Sequence, residues 1–462
     1  MLLPALADLA VGNPDWQVFC GSAAATLFVG AALAITSRGG SFDLKVRQAF
    51  VLTTLAWTVI ATFGALPFVF ADLNLSYTDA FFESMSGITT TGATVLVGLD
   101  TAPPGILMWR ALLQWLGGIG IIVMALSILP LLQVGGMQLF RLESSDTSEK
   151  VLPKAAQIAT SILLIYVALT LLCAAAYAAA EVPWFPALAH AMTTISTGGF
   201  STSDRSMGAF DSGAVHYTAA AFMIAGALPF ALYLRAVRGN LRALFRDSQV
   251  RWFFAIVVVV IAAMTAYVWQ NLEGVGLERA LQLCVFNVVS IITGTGYATA
   301  DYGSWGPFAI GGFFFMMFIG GCAGSTTCGI KGFRFQVAYA TARAQMNKLM
   351  HPHGVFIAYY NGRPIPESVS ESVMSFFFLF VVSFVALAMG LGLLGLDFVT
   401  SMSGAASAIA NVGPGLGPII GPTGTFRDLP DTAMWLLSFG MLLGRLELFT
   451  VLMLIVPGFW RN

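Results

Sequence analysis

The chain alternates long apolar stretches with short charged ones. Eight stretches of at least 21 residues carry no Lys, Arg, Asp or Glu and lack strong breaks in most of their length: 16–37, 48–71, 111–140, 155–180, 212–234, 252–272, 302–330 and 372–396. A helix needs roughly 20 residues to cross the hydrocarbon of a bilayer. A ninth run, 432–460, is long enough but contains Arg445 and Glu447. The pattern predicts nine spans. Four further apolar segments, 78–97, 186–203, 278–300 and 397–425, are short or broken by Gly and Pro. They fall between spans two and three, four and five, six and seven, and eight and nine. The order span, broken segment, span thus recurs four times, with a period of about 100 residues. The expected units are 1–47, an N-terminal region with one full span, then repeats at 48–140, 141–250, 251–350 and 351–462.

Charge placement gives this topology a direction. With the loop at 38–47 in the cytoplasm, 17 of the 22 Lys and Arg fall inside. Arg110, Arg205, Arg279 and Arg427 fall outside, and Arg445 lies within a span. Such an excess is the positive-inside signature. All four broken segments then lie on the outer side, with 15 acidic residues against four basic ones. That face either concentrates cations or simply mirrors the topology. Composition agrees: 57% of residues are hydrophobic and 10% charged, against about 25% charged in soluble domains. A net charge of −1 offers no footprint for nucleic acid. Residues 1–12 are apolar but too short to span. They lack a basic n-region, so they are not a secretory signal, and they read as the remnant of a shortened helix or a start placed too late.

The 48 glycines are more than a plain helix bundle needs, because glycine weakens helices. Four of their clusters end the broken segments: Thr90, Thr91 and Gly92; Ser196, Thr197, Gly198 and Gly199; Gly294, Thr295 and Gly296; Asn411, Val412 and Gly413. Non-helical backbone at membrane depth must be buried in protein or line a wet cavity. Each cluster follows a candidate short helix whose partly negative C-terminus would face the centre and favour a cation. Small residues let carbonyls turn inward and replace an ion's hydration shell. Ser76 and Asp79 suggest a capping box before the first short helix, and Asp397 a cap before the fourth. One such triplet carries no weight, since membrane glycines commonly serve helix packing. Four at matching places favour an all-α polytopic membrane protein with four re-entrant helices around a pore.

The segments FFESMSGITTTGATVLV, LLQWLGGIGIIVMALSILPLLQVGGMQL, AMTTISTGGFS, NVGPGLG and MLLGRLEL, with residues 320–331, resemble the TrkH family of bacterial potassium uptake proteins. The wider group includes KtrB and plant HKT transporters. The resemblance runs from about Arg38 to Asn462. It implies four membrane–pore-loop–membrane units, usually preceded by two extra helices. It also implies a potassium filter with Gly92, Gly198, Gly296 and Gly413 at the central positions. Serine at the first of these goes with sodium permeation in the wider group, so Gly92 argues for potassium. Gly294 departs from the common Thr-Thr-Gly pattern and adds backbone freedom.

Residues 320–331 interrupt span seven with Gly320, Gly321, Gly324, Ser325, Thr326 and Gly329. A close helix crossing would also favour small residues. The resemblance implies an intramembrane gate beneath the filter. Thr327 and Cys328 stand where relatives usually have two glycines, and would stiffen the loop or narrow the pore. A charge in mid-span faces the bundle interior or water, and residues two apart point to different helix faces. Arg445 therefore reads as facing the pore, which agrees with the family's electrostatic barrier, and Glu447 as structural. The resemblance further implies a homodimer with one pore per subunit, a cytoplasmic TrkA-like nucleotide-binding ring and location in the bacterial inner membrane. Potassium is expected as substrate, with no cofactor held by the chain.

Competing readings are weaker. A secondary transporter on broken helices predicts inverted repeats, whereas these segments share one side. Ion-coupled uptake through the same pore, by proton or sodium symport, remains the alternative. An intramembrane enzyme needs a nucleophile and base, and no such pair stands out. The five cysteines suggest no disulfide framework. His190 reads as a packing residue and His351-Pro-His353 as part of a solvated loop. Arg235, Arg238, Arg242, Arg246 and Arg251 form a basic cluster that fixes topology or meets anionic lipid.

Overall fold

A computed structural model describes residues 1–37, 46–127 and 151–461. The basic stretch at 38–45, the end of the third predicted span and the boundary at 140–141 lie outside them. The described chain is helical apart from a hairpin pairing Tyr359–Tyr360 with Arg363–Pro364. Six helices are long and apolar enough to cross a membrane, or eight if two sharply bent pairs each count as one. Many large apolar side chains on them are exposed, including Leu27, Phe28, Leu164, Val259 and Phe378. Polar and charged side chains such as Arg110, Arg334 and Arg445 are instead buried. This inversion of a soluble protein's surface fits a multi-pass membrane protein.

The four broken segments begin with short helices at Tyr77–Ile88, Trp184–Ile195, Leu277–Ile292 and Phe398–Ala410. Their start signals are met. Ser76 Oγ accepts the Asp79 N–H while Asp79 accepts the Ser76 N–H. Asp397 accepts the Thr400 N–H at 3.1 Å. At Leu2–Val11, buried Asp8 accepts the Gly105 N–H at 2.6 Å and ties the N-terminal helix to Pro104–Ser127.

Three of the expected spans are not continuous. Gly213–Ala227 and Phe230–Val237 meet at 94°, because Pro229 disfavours helical backbone at the residue before it. Asp431–Arg445 and Phe449–Ile455 meet at 119°, with Glu447 and Leu448 at positive φ. In the seventh, the helix Pro307–Met316 gives way to irregular backbone before Gly332–Met350.

These interruptions sit beside the ends of the short helices. A side chain at Gly117, Gly226 or Gly444 would strike the carbonyl of Ile88, Ile195 or Ile409, respectively. Each isoleucine ends a short helix or lies one residue before its end, and each glycine belongs to the next span in its repeat. Glycine is thus required there for backbone-to-backbone contact. Gly117→Ala should cost about 1–3 kcal/mol through overpacking, read as a lowered melting temperature in detergent. Gly120→Ala, whose added carbon would make an ordinary 3.6 Å contact with Trp57, should leave it nearly unchanged.

Candidate functional site

The four loops align in register at Ile88–Gly92 (ITTTG), Ile195–Gly199 (ISTGG), Ile292–Gly296 (ITGTG) and Ile409–Gly413 (IANVG). Backbone hydrogen bonds set that register. Thr90, Thr197, Gly294 and Asn411 each donate to the carbonyl three residues back. All four have positive φ, at 53°, 51°, 73° and 52°. Threonine is strained in this conformation. Gly294 therefore occupies a left-handed position shared by all four loops and relieves strain there, rather than adding a new direction of freedom.

Loop two is corrected by one residue. Gly199, not Gly198, has the positive φ of Gly92 and Gly296, at 80° beside 87° and 82°. The Gly198 carbonyl accepts from Gln114 Nε2 at 2.6 Å. Two adjacent glycines gave the sequence reading no way to choose between them.

The loops form a closed ring. A side chain at Gly92 would strike the Gly198 carbonyl of loop two, and one at Gly199 the Thr295 carbonyl of loop three. One at Gly296 would meet the Gly413 amide of loop four, and one at Gly413 would lie 3.0 Å from the Gly92 carbonyl of loop one. A cavity of about 300 Å³ opens above, lined by Gly92, Gly199, Gly296, Gly413 and Asp204 among others.

Polar side chains brace the ring from behind. Five residues before each isoleucine stand Glu83, His190, Asn287 and Gly404. Glu83 binds Thr94 Oγ1 and the Val95 N–H, both at 3.0 Å. His190 Nε2 meets Ser201 Oγ at 3.0 Å, and Asn287 binds both Thr299 Oγ1 and its N–H. In loop four, Ser407 Oγ donates instead to the Val412 and Gly413 carbonyls. Thr89 and Thr293, also missed from sequence, hydrogen-bond Thr91 and Thr295. Arg110, expected outside, is buried. It pairs with Glu83 at 2.8 Å, donates to the Ser201 carbonyl at 2.7 Å and to Thr94, and lies over the Phe200 ring. The missed signal was the polar position five residues before the isoleucine in three of the four loops.

Beneath loop two, Gly320–Gly329 meets the break in span five. Pro229 interrupts that helix and leaves carbonyls unpaired. The Gly226 carbonyl accepts from the Thr326 N–H and hydroxyl, and the Ala227 carbonyl from the Cys322 N–H. In return the Phe230 N–H donates to the Gly324 carbonyl at 2.9 Å. Thr326 Oγ1 also donates to the Ile195 carbonyl and touches Thr197 Oγ1. Ser325 is folded onto Thr327 at 2.7 Å, and Gly321 donates to the Thr327 hydroxyl.

Arg445 reaches this loop. Nη1 donates to the Thr326 carbonyl at 3.2 Å and to Cys328 Sγ at 2.7 Å, and Nη2 to the Gly117 carbonyl at 2.7 Å. Glu447 forms no pair with Arg445. It pairs with Lys331 at 2.8 Å and with Arg334. Lys331 and Arg334, assigned to a cytoplasmic loop by the charge count, are therefore buried ion-pair partners.

The family description "TrkH: Cation transport protein" matches residues 16–460. The chain belongs to the TrkH family. It is 48% identical to the Trk system potassium uptake protein TrkI of Halomonas elongata, over 100% of this chain and 94% of that protein. It is 37% identical to Escherichia coli TrkH, over 100% and 96%. The crystal structure of the potassium transporter TrkH from Vibrio parahaemolyticus matches with a TM-score of 0.92 at 37% identity, covering 100% of this chain and 96% of that one. The register correction yields a test. Gly199→Ala combines left-handed strain with backbone overlap and should lower potassium flux in proteoliposomes by about tenfold or more. Gly198→Ala presses only on the Gln114 side chain and should cost clearly less; equal losses would return the register to Gly198.

Proposed function

We propose that this chain takes up potassium across the bacterial inner membrane through a filter built by the four loops. The observation that carries the reading is the closed cyclic order of backbone contacts among Gly92, Gly198, Gly199, Thr295, Gly296 and Gly413. Four loops held at backbone distance can present carbonyls to one dehydrated cation. The preceding helices direct their negative ends toward it. Thr90, Thr91, Gly92, Ser196, Thr197, Gly198, Gly294, Thr295, Gly296, Asn411, Val412 and Gly413 supply the filter, with Gly199 added by the register.

An ion enters past the acidic outer mouth, sheds water at the loops and meets the guanidinium of Arg445 below. Gly320, Gly321, Gly324, Ser325, Thr326 and Gly329 form the gate. The names of the relatives support potassium as the cargo. The family resemblance supports a homodimer with one pore per subunit and a TrkA-like cytoplasmic ring, through which nucleotide would act.

The test is potassium, rubidium and sodium flux in proteoliposomes with controlled gradients. Potassium and rubidium should pass well ahead of sodium, and equal potassium and sodium flux overturns the selectivity claim. Potassium accumulation driven by a proton gradient at zero voltage would replace the passive pathway with symport. Arg445→Ala should raise potassium flux by about tenfold, because a charge a few ångströms from a cation's path repels it by more than ~1.4 kcal/mol. Unchanged flux removes Arg445 from the pathway.

A further inference from the structure

The gate segment contains two side chains, Thr327 and Cys328, where the family resemblance leads one to expect glycines. Neither is idle. Thr327 accepts the Gly321 N–H and meets Ser325, whose hydroxyl also donates to the Cys322 carbonyl at 2.6 Å. The segment is thereby folded onto itself. Cys328, buried at 7% exposure, accepts from Arg445 Nη1. The same guanidinium reaches Thr326 in repeat three and Gly117 in repeat one, while its backbone belongs to repeat four. It thus ties three repeats together directly below the ring.

We infer that Cys328 is a positioning residue of the gate, whose thiol holds the Arg445 guanidinium so that the loop and the pore charge move together. Withdrawal of the segment breaks the Cys328 and Thr326 contacts in one event and leaves Arg445 held by Gly117 alone among these acceptors. A glycine at 328 would leave only the Thr326 carbonyl as the link. The thiol therefore strengthens the closed arrangement without touching the filter. The inference rests on the proposed reading of this segment as a gate and of Arg445 as its barrier.

The test compares full-length Cys328→Ala, Cys328→Ser, Arg445→Ala and the double Cys328→Ala/Arg445→Ala variant in proteoliposomes. Cys328→Ala should raise potassium flux by about threefold to tenfold, the scale of the net contribution of one ordinary hydrogen bond. The potassium-to-sodium ratio should stay fixed. Cys328→Ser, which keeps an acceptor, should restore the closed behaviour. With Arg445 absent, Cys328→Ala should add nothing. The inference is overturned if alanine matches the unmodified protein, if serine behaves like alanine, or if the alanine effect persists in full without Arg445. If Arg445→Ala itself leaves flux unchanged, the barrier reading fails and carries this inference with it. If Arg445→Ala raises flux and Cys328→Ala does not, only the inference falls.

Discussion

The fold depends on how interrupted helices satisfy their backbone groups away from water. A helix broken at membrane depth exposes amides and carbonyls that lipid cannot pair. Here the breaks in spans five and seven answer one another. The Gly226 and Ala227 carbonyls, freed near Pro229, accept hydrogen bonds from Thr326 and Cys322, and the Phe230 N–H donates one to the Gly324 carbonyl. Gly117 in the adjoining repeat lends its carbonyl to Arg445. The irregular segment of span seven is therefore held by groups that the break in span five made available. Its stability follows from this small set of hydrogen bonds.

Buried charge organises the next level. Arg110, Arg334 and Arg445 are among the largest fully buried side chains, and each joins parts of the chain distant in sequence. Arg110 links Glu83 and Thr94 of loop one to the Ser201 carbonyl after loop two. Arg334 and Lys331, just past the irregular segment, converge on Glu447. Arg445 lies two residues before Glu447, across the bend in span nine. That bend therefore grips the irregular segment at two points: Arg445 binds its middle and Glu447 its exit. Removing one partner of a buried pair is costly because the other charge is left without compensation. Such contacts suit fixed joints.

The four repeats are equivalent in backbone more than in chemistry. The third loop residue is left-handed in every repeat, whether it is Thr90, Thr197, Gly294 or Asn411. The brace behind it changes from Glu83 to His190 to Asn287, and then to a serine from another position. A single chain can vary these braces loop by loop, as four identical subunits could not. The backbone approach, which leaves no room for side chains, is what every repeat retains.

The sequence alone carried the membrane class, the caps at Ser76 and Asp397, and the glycine-ended loops. Hydrophobic length, turn chemistry and capping are local and can be read along the chain. It could not choose between Gly198 and Gly199, because that depends on which amide completes the helix end. It did not show that Arg110, Lys331 and Arg334 are buried, because a charge count assigns a side of the membrane and says nothing of solvation. Long-range packing alone decided that Glu83 and Glu447 would neutralise them and that Cys328 meets Arg445. Those outcomes depend on groups 27 to 117 residues apart, whose pairing no local pattern encodes.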